Sequence, residues 1–118
     1  MTVAAPGVSE TDVDGVHVLS VSGELDLAAA VPFCALVDSS RGAGHRRLLL
    51  DLTDLQFCDS SSMRALIRAV DEVHANAGRV AVVPPADGAV ARTFALAGAG
   101  ELLPLCPSAD DGVALLAR

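Results

Sequence analysis

The chain has no lysine, no apolar run approaching the ~20 residues that cross a bilayer, and only three cysteines among its 118 residues. Each shortage excludes a class of protein. Eight basic residues, all arginine, face fifteen acids, for a formal net charge of −7 and a pI near 4.6. Such a field repels nucleic-acid phosphates and anionic lipid surfaces, so no direct nucleic-acid or membrane contact is expected, and a protein partner is. Cys34, Cys58 and Cys106 lie too far apart for a metal-knuckle spacing, and their odd number argues against a disulfide framework. They read as reduced, mostly buried small hydrophobes. Residues 1–7 carry neither a basic n-region nor a long apolar segment, which leaves a disordered N-terminus and a cytoplasmic protein as the expectation.

Signatures of catalysis are equally scarce. No Gly-x-Ser-x-Gly elbow occurs, and His17, His45 and His74 fall in three different elements without an i, i+4 pair, so neither a serine triad nor a zinc site is indicated. Each histidine reads as a surface or half-buried residue. Gly98-Ala99-Gly100 ends a helix instead of opening one after a strand, so it is not a phosphate cradle. No catalytic residue, metal or cofactor is expected, and the chain reads as a non-enzyme. The one basic cluster, Arg41 with His45, Arg46 and Arg47, reads as a solvated loop.

What is present is enough apolar content for one core: 52% hydrophobic residues and a mean hydropathy of +0.48. Val8 to Val13 and Val16 to Val21 read as strands joined by Asp14-Gly15, a hairpin signal, with Gly23 ending the second. A helix starting between Ala28 and Val31 and reaching about Ser40 carries Phe33, Leu36 and Val37 on one face, with Pro32 tolerated in its first turn. Arg47-Leu48-Leu49-Leu50-Asp51-Leu52 is a continuous apolar run of the kind buried on both faces of a parallel sheet. Between about Ser60 and Asn76, Met63, Leu66, Ile67, Val70 and Val73 recur at helical spacing. Strand Val80 to Val83, helix Val90 to Ala97, a short strand at Leu103 to Leu105 and a Ser108-capped helix Ala109 to Leu116 follow. Alternating strands and helices predict one α/β domain whose mostly parallel sheet starts with an antiparallel hairpin.

The stretch richest in chemistry is Gln56-Phe57-Cys58-Asp59-Ser60-Ser61-Ser62-Met63, where a strand and loop pass into a helix through one acid and three hydroxyls. Asp59 can cap the helix, and Ser60 and Ser61 fall in its first turn, where free N–H groups and the positive dipole end favour an added anion. A phosphoserine would be well placed there. Cys58 has no cationic neighbour in sequence to lower its pKa and reads as inert core.

Three segments in this order resemble the STAS domain of bacterial anti-sigma factor antagonists: Gly23-Glu24-Leu25-Asp26, Leu49-Leu50-Asp51-Leu52 leading through Phe57 to Asp59-Ser60-Ser61, and Glu101-Leu102-Leu103-Pro104-Leu105. The resemblance covers residues 8–116. It implies a STAS-type fold and makes Ser60 the phosphoacceptor, with Asp26 near it and a partner-facing surface that takes in Asp26, Asp59, Ser61, Ser62 and Met63. It also implies partner switching. The unphosphorylated domain binds an anti-sigma factor that is a serine kinase, is released once Ser60 is phosphorylated beside Asp59, Asp26 and Asp54, and is reset by a serine phosphatase.

Two departures from the family pattern are Ser62, where Gly is usual, and Ala29-Ala30, where a capping Thr is common. The first adds a hydroxymethyl group at the helix start; the second predicts a weakened cap. A non-switching STAS subunit of a lipid-transport or stress-signalling assembly would share the fold without phosphate turnover. A receiver domain with Asp51 as phosphoacceptor normally needs a lysine near that aspartate, and none exists. Structural anchoring of the following loop accounts for Asp51 better.

Overall fold

A computed structural model describes residues 7–86, 88–96 and 98–118. Residues 1–6, most of the expected disordered N-terminus, and Ala97, the expected end of a helix, lie outside the described residues. The first strand, β1 (Gly7–Val13), pairs antiparallel with β2 (Val16–Leu25) across Asp14-Gly15. Asp14 and Gly15 both have positive φ, 52° and 81°, the two-residue turn whose twist suits a hairpin. Gly7 is already in the ladder, opposite Ser22.

Strand β2 then pairs in parallel with β3 (Arg47–Cys58), and β3 with β4 (Arg79–Val83), giving the order β1-β2-β3-β4. Helices α1 (Leu27–Gly42), α2 (Ser60–Ala75), α3 (Gly88–Leu96), α4 (Ala99–Leu102) and α5 (Ala109–Leu116) connect and cover the sheet. The apolar run in β3 is buried on both faces for the reason its composition suggested. Leu48, Leu50 and Leu52 pack with Phe33 and Val37 of α1, Leu66 and Val70 of α2 and Phe94 of α3. Leu49 points the other way, into a smaller cluster with Val16, Val18, Ala81, Val83 and Leu116 of α5.

Several boundaries differ from the sequence expectation, four of them with a bearing on the site or the topology. β2 does not end at Gly23, and β3 does not end at Leu52. The two strands continue side by side to the pair Leu25 and Cys58. Between Ser20 and Ser22 of β2, β3 runs from Asp51 to Asp54, and between Gly23 and Glu24 it runs from Leu55 to Phe57. Each step places one extra residue in β3, and these bulges break the alternation by which a strand is recognised. The Asp51 carboxylate accepts from the Thr53 N–H at 3.1 Å and from the Thr53 hydroxyl, so it anchors a bulge inside the strand and not a loop beyond it. Third, α1 begins at Leu27, earlier than expected. Fourth, the strand expected at Leu103 to Leu105 is a single parallel bridge from Leu105 to Val82, preceded by the unexpected short helix α4.

His17 is buried, not half-exposed. Its two ring nitrogens meet Asp12 Oδ1 at 2.7 Å and Glu10 Oε1 at 2.9 Å across the hairpin. Burial works to lower its pKa, but the hydrogen bonds to Asp12 and Glu10 outweigh it and the net shift is upward.

Candidate functional site

The prolonged β2–β3 pairing decides where the site lies. Leu25 and Cys58 are register partners, so the residues that follow them, Asp26 and Asp59, leave neighbouring parallel strands at the same edge of the sheet. Each is the N-cap of the next helix. Asp26 is extended (φ −88°, ψ 178°) and its Oδ1 accepts from the Ala29 N–H at 2.9 Å. Asp59 repeats the arrangement (φ −88°, ψ 175°), accepting from the Ser62 N–H at 2.8 Å. Two helix N-termini therefore open side by side, each with one donor satisfied by an aspartate and the remainder facing outward. The expected weak cap at Ala29-Ala30 does not arise. Asp26 does the capping, and the two alanines are buried where α1 packs on the core.

On α2, Ser60 and Ser61 are exposed, while Ser62 and Met63 are not. Met63 is 1% exposed and belongs to the main core, and Ser62 is 0% exposed. Both were expected on a partner-facing surface; the helix period turns them inward instead, so neither side chain offers a contact there. Of the remaining expected residues, Asp26 is exposed and Asp59 half-buried. Asp54 lies in register with Ser22, four residues back along β3 from Cys58 and so about 13 Å away along a strand, at the usual ~3.3 Å per residue. It is not part of this edge.

The Asp59 carboxyl is held below the usual carboxylate range, chiefly by the Ser62 N–H that it accepts. A depressed folded-state value gives stability that is present above the ordinary carboxylate pKa of ~3.9 and lost as pH falls through the folded value. Asp59→Asn keeps a capping side chain but has no charge to titrate. In urea melts from pH 7 to pH 3, the wild type should lose stability relative to Asp59→Asn only at the acid end, with the difference flat above about pH 5. Asp59→Ala should cost about 0.5–2 kcal/mol at pH 7, the usual worth of such a cap.

The Ser62 hydroxyl is buried and, after the Ser62 N–H, helps hold the Asp59 carboxyl down. Ser62→Ala removes that support while improving helix propensity and relieving a buried hydroxyl, so the opposing effects should leave stability, read from the urea midpoint at constant m-value, within about 1 kcal/mol of the wild type. Cys58 is also buried, and burial first, with the Asp59 charge second, pushes its thiol up to about 11. It stays protonated at neutral pH and is neither a nucleophile nor a ready redox sensor.

On one side of Ser60 the surface is apolar. Phe57 at the end of β3 is 45% exposed and Leu96 at the end of α3 is 83% exposed. With Cys58, Asp59, Ser60 and Thr93 they line a shallow depression of about 400 Å³. Leu96 carried no sequence signal as a surface residue, since an apolar residue at a helix end reads as core. Large apolar side chains left in water around a polar centre mark an interaction surface more often than chance.

This architecture matches proteins of known structure. The STAS domain family profile covers residues 9–112, and the chain belongs to that family. An anti-sigma factor antagonist from Mycobacterium paratuberculosis superposes with a TM-score of 0.84 at 25% identity, over 97% of this chain and 96% of the other. The anti-sigma factor antagonist SpoIIAA in its unphosphorylated form matches at TM-score 0.72 and 21% identity, over 92% and 96%. The Bacillus cell fate determinant SpoIIAA in its phosphorylated form matches at TM-score 0.67 and 20% identity, over 92% and 98%. No curated protein sequence matches the chain. Among the described residues, no helix is long and apolar enough to cross a membrane.

Proposed function

We propose that the chain is an anti-sigma factor antagonist that works by partner switching, with Ser60 as its phosphoacceptor. The observation that carries this reading is an exposed Ser60 at the first turn of an Asp59-capped helix, set beside the second capped helix start at Asp26. In the unphosphorylated state the domain docks on an anti-sigma factor that is also a serine kinase, through the edge formed by Asp26, Asp59, Ser60 and Ser61 with the apolar flank of Phe57 and Leu96. The sigma factor held by that kinase is then free, so transcription is regulated indirectly. Transfer of a phosphoryl group from ATP to the Ser60 hydroxyl ends the association, and a serine phosphatase restores the hydroxyl.

Chemistry gives the switch its direction. A phosphate adds about −1.5 to −2 charges next to Asp59 and Asp26 in a chain already at −7. Within the domain the anion is tolerated, because the α2 N-terminus faces it and Arg64 lies one turn along the same face. Against a partner it would have to be desolvated. The test is to mix the purified domain with the kinase and follow the complex by size-exclusion chromatography before and after adding ATP. The complex should form without ATP and dissociate with it in the wild type, and persist with ATP for Ser60→Ala. A complex that ignores ATP would favour the non-switching STAS subunit.

A further inference from the structure

The geometry points to a divalent transition-metal site built by Asp12, His17 and His45 at the end of the sheet opposite Ser60. One ligand atom from each lies within 4.8 Å of the others. The three residues come from β1, the start of β2 and the loop between α1 and β3, and the fold assembles them. Asp12 is the register partner of His17 in the hairpin, and His17 is the partner of Leu48 in β3, three residues after His45. Spacing along the chain hides this, because no two of the three share an element.

The local arrangement supplies the donors of a nitrogen-and-oxygen site for such an ion, with one ring still to turn. His17 Nδ1 lies 2.7 Å from Asp12 Oδ1, and a proton between them occupies the position an ion would take. The other nitrogen, Nε2, lies 2.9 Å from Glu10 Oε1. A carboxylate on the far nitrogen fixes the tautomer, turns the ring and raises its basicity, the usual support of a metal-bound histidine. The His45 ring stacks on His17 with centroids 3.9 Å apart and planes 13° from parallel. Both rings cannot aim at one ion while stacked, so binding takes a rotation of His45, which follows Gly44 in a loop and is only half-buried. Two imidazoles and a carboxylate suit zinc, nickel or copper better than magnesium or calcium. Three protein ligands leave a fourth position for water. The net charge of −7 favours a cation.

Calorimetric titration of the untagged chain with Zn²⁺ tests this. One ion per chain should bind, with affinity reduced at least tenfold in Asp12→Asn and in His45→Gln. Glu10→Ala should cost about 10–100-fold, the typical effect of removing a supporting carboxylate. His74→Gln, outside the cluster, should bind like the wild type. His17 is buried and its replacement risks the fold, so the exposed Asp12 and half-buried His45 carry the mutational test, with melting curves confirming that each variant is folded. In parallel, the ring resonances of His17 and His45, and not those of His74, should shift on saturation with Zn²⁺. Absence of binding overturns the site, as does binding that survives undiminished in both Asp12→Asn and His45→Gln.

Discussion

Phosphorylated on Ser60, the domain should bind its kinase partner at least tenfold more weakly, a loss of about 1.4 kcal/mol or more, while its melting temperature stays nearly unchanged or rises slightly. The two halves of that result come from one anion in two environments. In the free domain the phosphate sits in water at an exposed helix N-terminus, where the dipole contributes up to ~1 kcal/mol and nearby carboxylates oppose it under partial screening. In the proposed complex the same group would be stripped of water beside Asp26 and Asp59. Ser60→Asp, with one charge and fewer acceptor oxygens, should reproduce part of the loss. Calorimetry of the three forms against the kinase, paired with thermal melts, separates a binding effect from an unfolding one. Equal affinity in all three would remove charge as the basis of release.

Truncating Phe57 or Leu96 to Ala should weaken partner binding by about 1–2 kcal/mol each, in the range of interface anchors, with little change in stability for Leu96→Ala. Leu96 is almost fully in water, which leaves the fold little dependence on its tip, whereas Phe57 is a little over half buried, so its truncation also costs stability and the melting curves must be read beside its affinity. If they form the apolar flank of the docking surface, burying them in the complex contributes most of what their areas can supply. The loss should fall mainly on the dissociation rate, since neither residue alters long-range charge. Surface plasmon resonance of Phe57→Ala, Leu96→Ala and the double variant reads this out. Unchanged dissociation in all three would move the interface away from the Ser60 depression.

Much of the fold was legible because its signals are local. The Asp14-Gly15 turn, the triple leucine of β3 and the helical repeat from Met63 to Val73 each state their structure within a few residues. The reading failed where a non-local register took over. From Thr53 to Phe57 the burial alternates irregularly, because β3 takes an extra residue at each of two bulges, and no period survives to mark a strand. That stretch of β3, with β2 beyond Gly23, is what carries Asp26 and Asp59 to the same edge. The pairing of the two caps could therefore not be seen from residues 23–27 and 56–60 taken separately.

The helix start at Asp59, Ser60 and Ser61 was legible from capping chemistry, whereas Asp26 entered only through the resemblance to STAS antagonists and its capping of α1 was missed. The resemblance put Ser62 and Met63 on the partner-facing surface, although Met63 also opens the apolar helical repeat, and the repeat prevails: both are buried. Where the family usually has Gly, Ser62 adds a hydroxymethyl group to the helix start; buried in α2, that group bears on stability and not on the partner-facing surface.

Incubating the protein with the kinase and radiolabelled ATP, then mapping the phosphopeptide by mass spectrometry, tests the central claim most directly. Phosphate should be confined to Ser60 and absent from Ser60→Ala, while Ser61→Ala is labelled as well as the wild type. Label that persists on Ser61 in the Ser60→Ala protein, or no transfer to a domain that binds the kinase tightly, would contradict a switch at Ser60.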